Sequence, residues 1–191
     1  MQTINKSETE DSCRELEKAK YEQIWGVAIY SKNSPAYHRF FDDVKAAINP
    51  GDKVIEFGCG TGVGLAELAK THEVLGIDIA ANCLTVDVPF KQACLWDELN
   101  VTGDVGFCVD VMEHIPTHKV DAVFAEIMKC VPRCLFIPCL LPDSLGEKHV
   151  KKPLHLTVKP AQWWRETAAK FGTVKGFKSD ARRATFVLER R

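Results

Sequence analysis

The run Val54-Ile55-Glu56-Phe57 breaks directly into Gly58-Cys59-Gly60-Thr61-Gly62-Val63-Gly64. Branched and aromatic residues favour a strand. Glycines at alternate positions then allow positive φ and let a ligand lie against the main chain, and the helix that follows offers free N–H groups to an anionic group. A strand, a glycine turn and a helix open a βαβ unit, which demands a right-handed crossover and a parallel sheet with helices on its faces. The chain keeps that rhythm. Apolar runs at 54–57, 74–78, 93–96, 105–109 and 134–140 read as strands, with helical patterns at 64–71 and 117–130 between them. Past 141 the pattern changes. Residues 142–159 read as a loop, Pro160 opens a helix carrying Trp163 and Trp164, and 174–178 with 184–188 form two closely spaced strands. The expected fold is α/β, a three-layer doubly wound, mostly parallel seven-stranded sheet ended by a C-terminal antiparallel hairpin.

Before the glycine turn the sequence is polar at its start, then helical over 13–21, broken around Gly26 and Ser34-Pro35, and helical again over 37–48 until Asn49-Pro50-Gly51. The expected organisation is one domain over 1–191, with 1–50 a helical cap and 51–191 the core. At 191 residues the chain is long enough for a full core without cross-links, so its eight cysteines need another reading. They lie mostly in apolar runs with no CxxC pair, and no apolar leader or bilayer-length stretch is present, which points to reduced thiols in a cytoplasmic protein with no membrane partner. Net charge is −1, but 51–146 carry 14 acidic and 6 basic residues, while 147–191 carry 12 basic and 4 acidic. The basic quarter is either a solvated surface or an attractor of anionic substrate.

A dinucleotide fingerprint GxGxxG would need glycine at 63, where Val63 stands. Present instead are Glu56 two residues before the first glycine, glycines at 58, 60 and 62, and Asp78 at the end of the second strand. This arrangement resembles the class I, Rossmann-like S-adenosylmethionine-dependent methyltransferases. The segment Val109-Asp110-Val111-Met112-Glu113-His114-Ile115-Pro116 after the fourth strand, and Ala93-Cys94-Leu95-Trp96-Asp97, stand where that family places its later motifs, so the likeness spans roughly 37–190. The resemblance implies S-adenosyl-L-methionine as cofactor. It implies Gly58, Gly60 and Gly62 against the cofactor, Asp78 on the ribose, Glu56 anchoring the ammonium group, Ile79, Leu95 and Trp96 beside adenine, and Asp110 near the methionine end.

Methyl transfer from a sulfonium needs mainly positioning and exclusion of water. If the acceptor is a hydroxyl or a protonated amine, a histidine is a suitable proton acceptor, and His114 and His155 are the catalytic candidates by location. Asp110, Glu113, His114 and His155 could also ligate a metal; the expectation is that none is used. The (Asp/Asn)-Pro-Pro-aromatic run of exocyclic-amine DNA methyltransferases is absent after the fourth strand, and Pro138-Cys139 sits in an apolar run without supporting motifs. A small-molecule oxygen or nitrogen is therefore the expected acceptor, beneath a cap drawn from Tyr21, Trp25, Tyr30 and one of Trp163 and Trp164. The alternatives are an RNA-end 2′-O-methyltransferase, which the basic quarter and possible metal ligands would suit, and a cofactor-binding protein without turnover.

Overall fold

The structure is a computed structural model that describes residues 6–32, 36–143 and 145–191. The expected Ser34-Pro35 break and the first five residues of the polar start lie outside the described residues. Three helices precede the sheet, α1 (Lys6–Trp25), α2 (Ala28–Lys32) and α3 (Ala36–Ala47). Then β1 (Val54–Phe57), α4 (Val63–Leu68), β2 (Val74–Asp78), β3 (Phe90–Gln92), β4 (Val105–Val109), α5 (Val120–Cys130) and β5 (Arg133–Ile137) follow. The chain ends with α6 (Leu145–Val150), α7 (Ala161–Ala168), β6 (Thr173–Ser179) and β7 (Ala184–Glu189).

One seven-stranded sheet runs in the order β3-β2-β1-β4-β5-β7-β6, parallel through β5, with β7 antiparallel to both β5 and β6. Its two faces follow the period-2 alternation of strand side chains. Ile55, Phe57, Cys134 and Phe136 point to the face covered by α5 and α7, where they pack with Phe124, Trp164 and Phe186. Val54, Phe107, Leu135 and Ile137 point to the other, against Phe40, Val44, Leu65 and Leu68 of α3 and α4. β1 and β4 are neighbours from which the strand order runs outward in opposite directions, and the loops at their carboxyl ends part there, which is where open α/β sheets bind ligands.

Three local expectations change. The third strand is 90–92, not 93–96, because pairing with β2 ends at Asp78 opposite Gln92; the apolar 93–96 run is apolar for packing and for lining the cleft described below. A short helix, α6, stands inside the expected 142–159 loop. Asp143 Oδ2 accepts the Gly146 N–H at 2.7 Å, and Val150 with Leu154 packs against Ile24 of α1. Six residues hold no helix by propensity alone, so this one depends on that packing, with the Asp143 bond closing its first turn. Pro160 sits at the N-cap of α7 rather than inside it. No described helix is long and apolar enough to cross a membrane, and all eight cysteines are free thiols.

Candidate functional site

The glycine turn is held by β2. Gly58 and Cys59 both donate backbone N–H bonds to the Ile77 carbonyl, at 2.7 and 3.0 Å. Gly60 donates to Asp78 Oδ2 and Ala80 to Asp78 Oδ1, each at 3.0 Å. Gly58, Gly60 and Gly62 all have positive φ. Asp78 is buried, and burial pushes its carboxyl up to about 6 against the pull of those two N–H donors. A carboxylate offers about four lone-pair sites, more than these backbone donors take up, so acceptor capacity remains for a ligand.

Gly58 also answers a space requirement. At φ +81 an added Cβ would lie 2.4 Å from Val111 Cγ2. Gly58→Ala is expected to destabilise the fold by about 2–4 kcal/mol, the sum of left-handed strain and overpacking. Chemical denaturation checks it, and Val111→Ala in the same chain should restore all but about 1 kcal/mol of backbone strain; a single variant as stable as the parent would refute the contact.

A cleft enclosing about 610 Å³, its open mouth included, lies at the carboxyl edge of the sheet. Its floor is Gly58, Asp78 and Ile79, one wall is Cys94, Leu95 and Trp96, and another is Asp110, Val111, His114 and Ile115. Helices α1 and α2 roof it with Glu17, Tyr21, Trp25 and Tyr30. Trp25 and Tyr30 meet edge to face at 4.8 Å. The Tyr21 hydroxyl and Trp25 Nε1 are buried without a hydrogen-bond partner among the described residues, and Asp110 Oδ1 makes no hydrogen bond but pairs with Arg183 Nε at 3.6 Å. Asp110 itself sits at φ 54, a strained conformation for a side-chain-bearing residue and one that functional loops often carry.

Of the site residues read from the sequence, Gly58, Asp78, Ile79, Leu95, Trp96, Asp110 and His114 line this cleft. Gly60 and Gly62 shape the turn beneath it: the Trp25 ring lies 3.0 Å from where a Cβ on Gly60 would stand. Glu56 points away. It borders a smaller cavity of about 290 Å³ on the opposite face of the sheet, with Phe40, Phe41 and Phe107, because alternation in β1 puts Glu56 on the side of Val54. Burial pushes its carboxyl well above the usual range. Tyr21, Trp25 and Tyr30 form the expected cap. Neither tryptophan of α7 joins them: Trp164 is fully buried in the core, and Trp163 packs beside it at 5.0 Å under Lys159. Cys94, Val111 and Ile115, from the two segments quoted for the resemblance, also line the cleft, as does Glu17, which only the fold finds, since it is an ordinary helix residue in sequence.

His155 is not in the cleft wall but stands behind it, its ring 4.8 Å from that of His114 at 77°. His114 Nδ1 lies 3.2 Å from the Leu154 carbonyl and His155 Nδ1 lies 2.5 Å from the Leu141 carbonyl. A carbonyl only accepts, so each Nδ1 carries a hydrogen, and a lone pair can stand only on Nε2. Burial above all, and then the neighbouring His155, push His114 down to about 3, which keeps it neutral.

No family model matches the sequence. Solved structures resemble the fold closely. The PH0226 protein from Pyrococcus horikoshii OT3 superposes with a TM-score of 0.66 at 15% identity over 81% of this chain and 89% of its own. DhpI, solved as a complex with SAH, gives 0.66 at 14% identity over 91% and 96%. The chain has the class I methyltransferase fold. Within that fold the glycine turn, Asp78 and the Asp110–His114 segment share the cleft where β1 and β4 diverge. By sequence, phosphoethanolamine N-methyltransferase 1 of Zea mays is 29% identical over 110 residues, and its Arabidopsis thaliana counterpart is 26% identical over 110. That stretch is 56% of this chain and 21% of each plant protein, so the match spans about a fifth of those relatives' length.

Proposed function

We propose that the chain transfers a methyl group from S-adenosyl-L-methionine to an oxygen or nitrogen of a small-molecule acceptor. The observation that carries this reading is Asp78. It is a buried carboxylate at the end of β2, in the same cleft as the glycine turn, with acceptor capacity to spare and with the Tyr21 hydroxyl and Trp25 Nε1 nearby without hydrogen-bond partners among the described residues. The relatives matched by sequence carry names of small-molecule N-methyltransferases, and DhpI was solved with SAH. The eight free thiols suit a reducing, cytoplasmic setting.

Asp78 accepts the ribose hydroxyls, and Ile79, Leu95 and Trp96 enclose the adenine. Gly58 lets the methionine end pass close to the backbone. The ammonium group falls to Asp110, since Glu56 faces the other side of the sheet. When bound, the cofactor supplies a methyl group on positively charged sulfur, which an acceptor lone pair displaces in line. The chain's own contribution is to position the acceptor and exclude water. Tyr21 and Trp25 close the roof, and the acceptor approaches from the side of His114 and His155, the proposed catalytic pair.

Calorimetry with S-adenosylhomocysteine, followed by incubation of metabolite and RNA pools with methyl-labelled cofactor, tests the proposal. One tight site and a label on a small molecule support it. No binding rejects it, a label on RNA ends moves the acceptor class, and binding without any labelled product leaves a cofactor-binding protein without turnover. Affinity should also depend on pH. Because the Asp78 carboxyl titrates at about 6, the carboxylate that accepts ribose hydroxyls is present above that value and lost below it. Affinity is expected to be flat above pH 7 and to fall by up to about tenfold per unit below pH 6; a flat profile to pH 5 would contradict the assignment.

A further inference from the structure

Arg183 carries donors that the fold leaves unspent. Its side chain is 13% exposed, Nε is buried without a hydrogen-bond partner, and no guanidinium donor makes a hydrogen bond among the described residues. Two contacts hold the group. The Phe40 ring centroid lies 4.7 Å from Cζ, and Asp110 Oδ1 lies 3.6 Å from Nε, an ion pair too long to be a hydrogen bond. A guanidinium offers five N–H donors in a fixed fork, and taking them out of water without partners costs free energy.

The main chain around Arg183 is tied to the stretch that carries His155. Asp180 Oδ1 accepts the Arg182 and Arg183 N–H groups at 2.6 and 2.9 Å, closing the turn between β6 and β7. Cys139 and Arg183 pair in an antiparallel bridge, and the Leu140 N–H donates to the Arg182 carbonyl at 2.7 Å. One residue on, the Leu141 carbonyl accepts from His155 Nδ1. The guanidinium and His155 are thus anchored on one strip of chain just past β5. In the strand order β5 and β7 lie beyond β4, on the side away from β2 and Asp78. With Asp78 on the ribose and Asp110 on the ammonium group, Arg183 stands one side chain past the cofactor's end, on the side of the acceptor.

We propose that Arg183 binds an oxyanion group, a phosphate or a carboxylate, carried by the methyl acceptor. An arginine fork matches either group bidentately, and stacking on Phe40 fixes its plane before a ligand arrives. Two acids stand near it. Glu113 feels the Arg183 charge, but burial first, and then Asp110, push its carboxyl well above the usual range, which keeps it neutral near pH 7. Asp110 is the charged neighbour, and the methyl-transfer reading, on which this proposal rests, gives its carboxylate to the cofactor's ammonium group. Cofactor binding then frees the Arg183 charge for a second anion, so the two ligands bind cooperatively. Arg183 also lies in the basic quarter, where 147–191 carry 12 basic and 4 acidic residues, which adds attraction at longer range.

The test is calorimetry of the full chain saturated with S-adenosylhomocysteine, titrated with inorganic phosphate and, separately, with acetate. One anion should bind saturably, and more weakly when S-adenosylhomocysteine is omitted. Arg183→Gln should weaken it at least about tenfold, and Arg183→Lys, which keeps the charge but not the fork, should fall between. Both variants should keep S-adenosylhomocysteine affinity within about threefold of the parent. Phosphate bound more tightly than acetate marks a phosphorylated acceptor, and the reverse a carboxylated one. If Arg183→Gln loses the circular dichroism of the parent, Arg183→Lys decides alone. No anion bound, or parental anion affinity in the variants, would overturn the proposal, as would a parallel loss of S-adenosylhomocysteine, which would assign Arg183 to the cofactor's own carboxylate. Phosphate binding without S-adenosylhomocysteine binding would reject the methyl-transfer reading alone, and the converse would reject only the role of Arg183.

Discussion

Asp78→Ala is expected to weaken S-adenosylhomocysteine binding by about 10²–10⁴-fold. A hydrogen bond to a charged group contributes about 1.5–3 kcal/mol, and two ribose hydroxyls would each lose one. The Gly60 and Ala80 N–H groups lose their acceptor in the same variant, so the glycine turn loosens along with the ribose contact. Asp78→Asn separates the two effects. It keeps one acceptor oxygen and the side-chain volume, and should fall between wild type and Asp78→Ala. Isothermal calorimetry near pH 7.5 is the measurement, and an Asp78→Ala affinity within threefold of wild type would remove Asp78 from the cofactor site.

His155→Ala is expected to lower turnover of the labelled acceptor by about 10²–10⁴-fold while leaving S-adenosylhomocysteine affinity within about threefold. The ring stands behind the cleft wall, 4.8 Å from His114 and away from the glycine turn, so the cofactor contacts do not depend on it. His114→Ala tells a proton acceptor from a metal ligand. At about 3, its affinity for a proton is too low for it to serve as a base near neutrality. A loss equal to that of His155→Ala, reproduced in the wild type by a chelator, fits shared ligation of an ion; a loss confined to His155→Ala fits a base. Unaltered turnover in both variants would make the pair structural.

What was legible in the sequence is what local chemistry decides. Val54 to Phe57 can be little but a strand, and the glycines after it require positive φ. The alternation of apolar runs and amphipathic helices compels a parallel sheet. Asp78 follows from the second strand's last position, and the antiparallel end from the short spacing of 174–178 and 184–188. Even the aromatic cap was readable, because Tyr21, Trp25 and Tyr30 stand before the core and beside no strand of their own.

Other features depend on which face an element turns and on groups that meet across long stretches of chain. Glu56 carries the right chemistry at the right spacing, yet the alternation of β1 sends it to the side of Val54 and Phe107, away from the cleft. Trp163 and Trp164 look alike in sequence; the packing of α7 on Phe124 and Phe186 takes one wholly into the core and leaves the other at its margin. The helix at 145–150 exists because Ile24 of α1 covers Val150 and Leu154. Glu113, His114 and His155 come together through bonds between the Glu113 carbonyl and the N–H groups of Leu156 and Thr157. The sequence by itself determined the sheet, its glycine turn and the carboxylate at the end of β2, because period-2 burial and positive φ are properties of adjacent residues. The tertiary structure decided which side chains share a site, because closing a loop of some 40 residues depends on contacts that no local pattern records.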